Sequence, residues 1–116
     1  MLRKMSYPKL LLGIFVLFLF ISCKSNIEPN SPYIGFWDGS GDGASYEIVI
    51  SSNGDGSWNK YKGITYSSAT GPVRVKNGKL KIGIKKLKID QGPTLVQDQG
   101  YEYYTMKLDG IDYIRY

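Results

Sequence analysis

The sequence has no histidine and a single cysteine, Cys23, which removes two common sources of chemistry and cross-linking at once. Without histidine no side chain has an ordinary pKa near neutrality, so Ser-His and Cys-His nucleophile schemes are excluded. One cysteine forms no intramolecular disulfide, and no His/Cys metal set can be assembled. The helical apolar period is missing too: nowhere in residues 33–116 do apolar side chains keep the i, i+3, i+4, i+7 spacing. Finally, acid is absent from a long internal stretch, residues 56–89, which nevertheless carries Lys60, Lys62, Arg74, Lys76, Lys79, Lys81, Lys85, Lys86 and Lys88.

What is present begins with Arg3, Lys4 and Lys9, followed by the apolar run 10–21, then Ser22 and Cys23. About 20 apolar residues are needed to cross a bilayer core, so this shorter run reads as an export signal and not as a membrane span. The pattern resembles the signal of bacterial lipoproteins, which is cut just before a cysteine that becomes the acylated N-terminus. That resemblance implies a signal peptide at residues 1–22, lipidation of Cys23, and a lipid-anchored place in the cell envelope, by expectation the outer membrane. The membrane is then the first expected partner. The alternative for Cys23 is a small buried or free thiol, which sits badly with an oxidising export compartment.

The signal takes three basic residues with it, leaving 12 of the 15 against all 10 acidic ones. The mature chain is therefore nearly neutral, and no nucleic-acid partner is expected from its charge. Residues 23–32 hold the lipidated cysteine and a stretch poor in large apolar residues, with two prolines and two asparagines, which reads as a flexible tether. Residues 33–116 are left for one small domain with nothing covalent to staple it.

Turn signals recur about every ten residues through that domain, so the expected class is all-β. Candidate strands are 33–38, 45–51, 57–61, 64–67, 72–76, 79–83, 85–90, 94–97, 101–108 and 111–116. Their short joints favour an antiparallel meander of about 8 to 10 short strands closing into a small β-barrel. Two hairpins can be registered in detail. Asn77-Gly78 suits a type I′ turn and pairs Val75 with Leu80, Arg74 with Lys81 and Lys76 with Lys79, giving one apolar and one cationic face. Asp109-Gly110 likewise pairs Leu108 with Ile111, Met106 with Tyr113 and Tyr104 with Arg115. Arg115 thereby falls on the apolar face, where it needs a partner such as an aromatic ring.

Trp37, in Gly35-Phe36-Trp37 on the first strand, is the expected partner. Gly35, Trp37 and Arg115, with the meander pattern, resemble the lipocalin-like families, whose first strand opens with Gly-x-Trp and whose late arginine packs across that tryptophan at the closed end of an up-and-down barrel. The second signature of those families has no clear counterpart here. The resemblance implies a lipocalin-like barrel closed by the Trp37–Arg115 pair.

Catalysis is not expected. A glycosidase-type carboxylate pair needs side chains about 5 to 9.5 Å apart across a cleft, whereas Asp42, Asp55, Asp90 and Asp109 flank glycines and are explained by turn chemistry. Glu47 and Glu102 fall within candidate strands. Residues 38–43 and 51–56 echo the start of a calcium loop, but neither brings an acid to the twelfth position and the expected elements are Gly/Asp hairpin turns. No metal and no cofactor are expected.

Two unusual features remain. Arg74, Lys76, Lys79, Lys81, Lys85, Lys86 and Lys88 read either as a cationic face held against an anionic partner or as lysines that blunt exposed strands. Of the many tyrosines, Tyr46, Tyr104 and Tyr113 have core parity, whereas Tyr101, Tyr103 and Tyr116 have the opposite one and suit an exposed strip. The expected function is a non-enzymatic, membrane-anchored barrel that binds a small apolar or amphipathic ligand, with Tyr46, Ile48, Trp58, Met106 and Tyr113 as its lining. The alternative is an interaction module with a filled core, docking its lysine-rich face on an anionic envelope component or a protein.

Overall fold

Eight strands follow one another: β1 (Gly35–Gly41), β2 (Ala44–Ile50), β3 (Asp55–Lys62), β4 (Thr65–Lys76), β5 (Lys79–Ile82), β6 (Lys85–Asp98), β7 (Tyr101–Leu108) and β8 (Ile111–Arg115). Each pairs antiparallel with the next, and β8 returns to β1 through Asp38↔Ile114, Gly39↔Tyr113 and Ser40↔Asp112. The result is a closed up-and-down barrel, the all-β meander anticipated from turn spacing. This is a computed structural model that describes residues 25–116; the expected signal peptide and Cys23 lie outside the described residues.

Turn chemistry pins the register. Asn77 and Asp109 adopt φ of 55° and 50°, with Gly78 and Gly110 at 70° and 76°, as type I′ hairpins require. The pairs Val75↔Leu80, Arg74↔Lys81, Met106↔Tyr113 and Tyr104↔Arg115 follow.

Ten candidate strands become eight because two Gly-Pro dipeptides bend strands instead of ending them. At Gly71-Pro72, β4 leaves its partner β3 and takes up β5. Proline has no N–H to offer a ladder, so it is tolerated where pairing changes hands. Here the Pro72 carbonyl accepts from Gly83 N at 3.1 Å. The β5–β6 turn comes so close that a Cβ on Gly83 would lie 2.3 Å from the Thr70 carbonyl oxygen. Around Gly92-Pro93, β6 shifts register against β7 between Ile89 and Thr94, which marks bulges and the strong local bend they bring.

Alternation along the strands sends Trp37, Ile48, Ile50, Val73, Leu80, Ile82, Met106, Leu108 and Tyr113 inward, all essentially inaccessible to solvent. An eight-stranded barrel is just wide enough to be filled by its own side chains. Each large apolar group buried contributes about 1.5–3 kcal/mol, and with no disulfide this layer is the main source of stability.

One end is shut by aromatic and guanidinium chemistry. Arg115 stacks between Tyr104 and Trp37, its guanidinium carbon 4.3 and 5.2 Å from their ring centroids. Its Nη1 donates to the Ile34 carbonyl. Trp37 Nε1 donates to the Tyr33 carbonyl at 2.9 Å. A Cβ on Gly35 would sit 2.4 Å from Arg115 Cδ, and the φ of +135° there disfavours any L side chain, so glycine is required for the stack to form.

Residues 25–32, read from composition as part of a flexible tether, are laid against the barrel instead. Beyond Pro72 the edge of β4 that β3 has left is open, and the Asn26 side chain closes it. Its Nδ2 donates to the Val75 carbonyl at 2.8 Å and its Oδ1 accepts from Val75 N at 2.9 Å. Ser25 Oγ donates to the Val73 carbonyl at 2.6 Å, while Ile27, Tyr33 and Ile34 pack on the core. A strand edge left unpaired invites pairing by another chain, and a side-chain amide that mimics a backbone partner removes that hazard.

Replacing Arg115 by alanine removes two ring contacts and leaves the Ile34 carbonyl without its donor. The Arg115→Ala protein is expected to lose roughly 1–3 kcal/mol of unfolding free energy in urea titrations followed by tryptophan fluorescence. An unchanged midpoint would show that the stack does not hold the seam.

Candidate ligand site at the barrel mouth

The opposite end of the barrel is open. A cavity of about 210 Å³ lies there, walled by Tyr46, Trp58, Tyr113, Leu87, Leu108 and Ile111, with Lys60, Lys85, Asp42 and Asp109 around its mouth. Strand parity builds it: Tyr46 on β2, Trp58 on β3 and Tyr113 on β8 all point inward, one level above the packed layer. The rings meet edge to face or tilted, with Tyr46 6.1 Å from Tyr113 and 6.5 Å from Trp58 between centroids.

Two lysine ammoniums sit over these rings. Lys85 Nζ lies 4.2 Å from the Trp58 centroid and Lys60 Nζ 5.6 Å from that of Tyr46. Neither forms a salt bridge among the described residues. The buried indole N–H of Trp58 also makes no hydrogen bond. The Tyr113 hydroxyl is near enough to feel that N–H but does not take it in hydrogen-bond geometry. A buried donor left unsatisfied costs about 1–3 kcal/mol, so an acceptor arriving in the cavity would recover that energy.

Of the five residues expected to line a pocket, Tyr46, Trp58 and Tyr113 do line this cavity. Ile48 and Met106 do not; they lie in the buried core below it. The sequence reading missed Lys60, Leu87 and the rim residues. It also placed Lys85 on the outer cationic face. Lys85 pairs opposite Ile82 and so shares the inward parity of Leu80 and Leu87; its position next to the β5–β6 turn then brings it over the mouth. The alternation of Lys85, Lys86, Leu87 and Lys88 carried that signal.

The remaining cations of that face form two rows across three strands: Arg74, Lys81 and Lys86, then Lys76, Lys79 and Lys88. Like charges directly opposite one another are mildly destabilising. Lys86 first, then partial desolvation, Arg74, Lys76 and Lys79, hold the Lys81 ammonium below its ordinary pKa. Lys88 reaches Asp90 at 3.8 Å.

Other candidates are structural. The two Gly/Asp segments are the β1–β2 strand and turn and the β2–β3 turn, where Asn53 Oδ1 accepts from Asp55 N at 3.1 Å. Among the described residues no group of His, Cys, Asp or Glu side chains is placed to hold a metal ion. Glu47 faces Asp38 and Asn59 across neighbouring strands, whereas Glu102 accepts from Gln97 Nε2 near the tip of the β6–β7 hairpin. Tyr101 and Tyr116 are exposed, Tyr103 is partly covered, and the Tyr103 and Tyr116 rings lie 6.0 Å apart. Tyr104 packs on the core.

Burial raises the Tyr113 pKa well above its ordinary 10. The unfolded chain therefore releases that proton first, and stability should fall as the pH rises above about 10 towards the folded value. In Tyr113→Phe this part of the pH dependence should disappear from urea midpoints measured between pH 9 and 11; an identical slope would contradict the burial.

No protein-family model matches the chain, no curated protein is detectably similar in sequence, and no solved structure matches the fold.

Proposed function

We propose that the chain is a non-enzymatic lipoprotein, acylated at Cys23 and anchored in the cell envelope at the outer membrane, whose lipocalin-like barrel takes a small amphipathic ligand at its open mouth. The observation that carries the ligand is the orphaned Trp58 N–H, buried in a cavity with aromatic walls and two lysine ammoniums at the rim. Aromatic and aliphatic walls with a few convergent polar groups are the usual make-up of a small-molecule site. The cavity is smaller than the roughly 300–1,000 Å³ of typical ligand pockets, so it suits a small molecule or the end of a larger one. An acceptor-bearing head, such as a carboxylate, would meet Lys60, Lys85 and the Trp58 N–H, while a short apolar body lay on Tyr46, Tyr113 and Leu108.

The lipocalin-like reading is supported by the cluster of Gly35, Trp37 and Arg115 at the closed end. The anchor is supported by the residues before Cys23. A second role of the same barrel, docking on an anionic envelope component or an acidic protein, is supported by a separate observation, the two cationic rows outside β4, β5 and β6.

Native mass spectrometry on protein purified gently from envelope extract, together with titration of octanoate against tryptophan fluorescence, tests the ligand. A discrete added mass, and octanoate binding weakened about tenfold in Lys85→Met and in Trp58→Phe, are expected from the loss of one charge-assisted contact. A clean mass with no fluorescence change would overturn the ligand site.

A further inference from the structure

We infer that the two cationic rows outside β4, β5 and β6 rest on the anionic headgroups of the same membrane that holds the acyl anchor. The inference rests on the reading of Cys23 as acylated. Its structural support is the place where the chain joins the barrel. Ser25 is bonded to the Val73 carbonyl, and Asn26 holds both backbone groups of Val75. These two β4 residues alternate with Arg74 and Lys76, whose side chains point outward and begin the two rows.

Chain geometry then limits where an anchor can be. One residue, Lys24, separates Cys23 from Ser25, and two residue steps of fully extended chain cover at most about 7 Å, so an anchor at Cys23 would be tied within about 7 Å of Ser25, which is itself bonded to the edge of β4. Neighbouring strands are spaced about 4.8 Å apart, so the rows run only some 10 Å from β4 across β5 to β6. A long tether would let the barrel tumble and present any face. This one holds the barrel against the surface by the edge that carries the cations.

Charge makes the same choice. Lys76, Lys79, Lys81, Lys86 and Lys88 meet one carboxylate at salt-bridge distance among the described residues, that of Asp90. The rows set like charges opposite one another on three adjacent strands, an arrangement that an anionic surface would relieve. Lipid anchors act together with polybasic patches in membrane attachment, and a phospholipid surface offers many headgroups at once to a flat row of cations.

The test uses the full mature protein reconstituted through its own anchor into vesicles of neutral phosphatidylcholine, or of phosphatidylcholine with phosphatidylglycerol. Lysine acetylation is then read residue by residue. Lys79, Lys81, Lys86 and Lys88 should be protected about threefold or more in the anionic vesicles relative to the neutral ones. Lys62 and Lys107, which lie outside the rows, should be unchanged. In the Lys79→Glu/Lys81→Glu protein the protection of Lys86 should vanish. Equal labelling in both vesicle types would overturn the inference. So would protection that appears only when a soluble acidic polysaccharide is added to neutral vesicles, which would make that polymer the occupant. The intact mass reads acylation separately: without acyl chains the reading of Cys23 fails, and sedimentation of the unacylated chain with the same anionic vesicles still decides what the rows bind.

Discussion

Closure of the seam between β1 and β8 is the constraint on which everything else depends. A barrel this small, in a chain with a single cysteine, has no internal disulfide, so an open seam would expose both its core and two strand edges. Only three residue pairs join β1 to β8 directly. The Arg115 guanidinium reinforces them from inside by joining the last strand, the first strand and the segment before it through Trp37, Tyr104 and the Ile34 carbonyl. A charged group partly withdrawn from water among aromatic rings is costly unless it is paired or stacked. Here it is sandwiched and hydrogen-bonded, and glycine at position 35 makes the room.

Filling the lower barrel has a functional counterpart. Ile48 and Met106 belong to the buried core beneath the cavity, which lies at the mouth, where the walls are aromatic and lysines can reach in. The same alternation that sends Lys85 inward sends Lys86 and Lys88 outward. A single strand thus supplies both the rim of the candidate pocket and one edge of the cationic rows, and the two surfaces are chemically distinct although adjacent in sequence.

Much of this was legible in the sequence where the information is local. Asn77-Gly78 and Asp109-Gly110 each force a turn of one hand, and once the turn is set, period-two alternation dictates every partner, including Tyr104 with Arg115. Closure by Arg115 against Trp37 also followed, since an inward arginine needs an aromatic partner. The strands at Gly71-Pro72 and Gly92-Pro93 were divided because a Gly-Pro pair is locally a break; that β4 continues depends on the arrival of β5 and of Gly83, which is a tertiary event. Asn26 looked like linker, since its partner Val75 is 49 positions away and nothing local marks it. Lys85 was assigned to the wrong face because charge was weighed above parity.

The docked segment before β1 also bears on how the chain resists proteolysis. Proteases nick exposed, unstructured termini and loop tips. With Ser25 and Asn26 already bonded into the edge of β4, the backbone at these two positions is not free to enter a protease cleft. Cleavage within this segment would first require it to peel away, so it would be governed by a local opening equilibrium and not by the stability of the whole barrel.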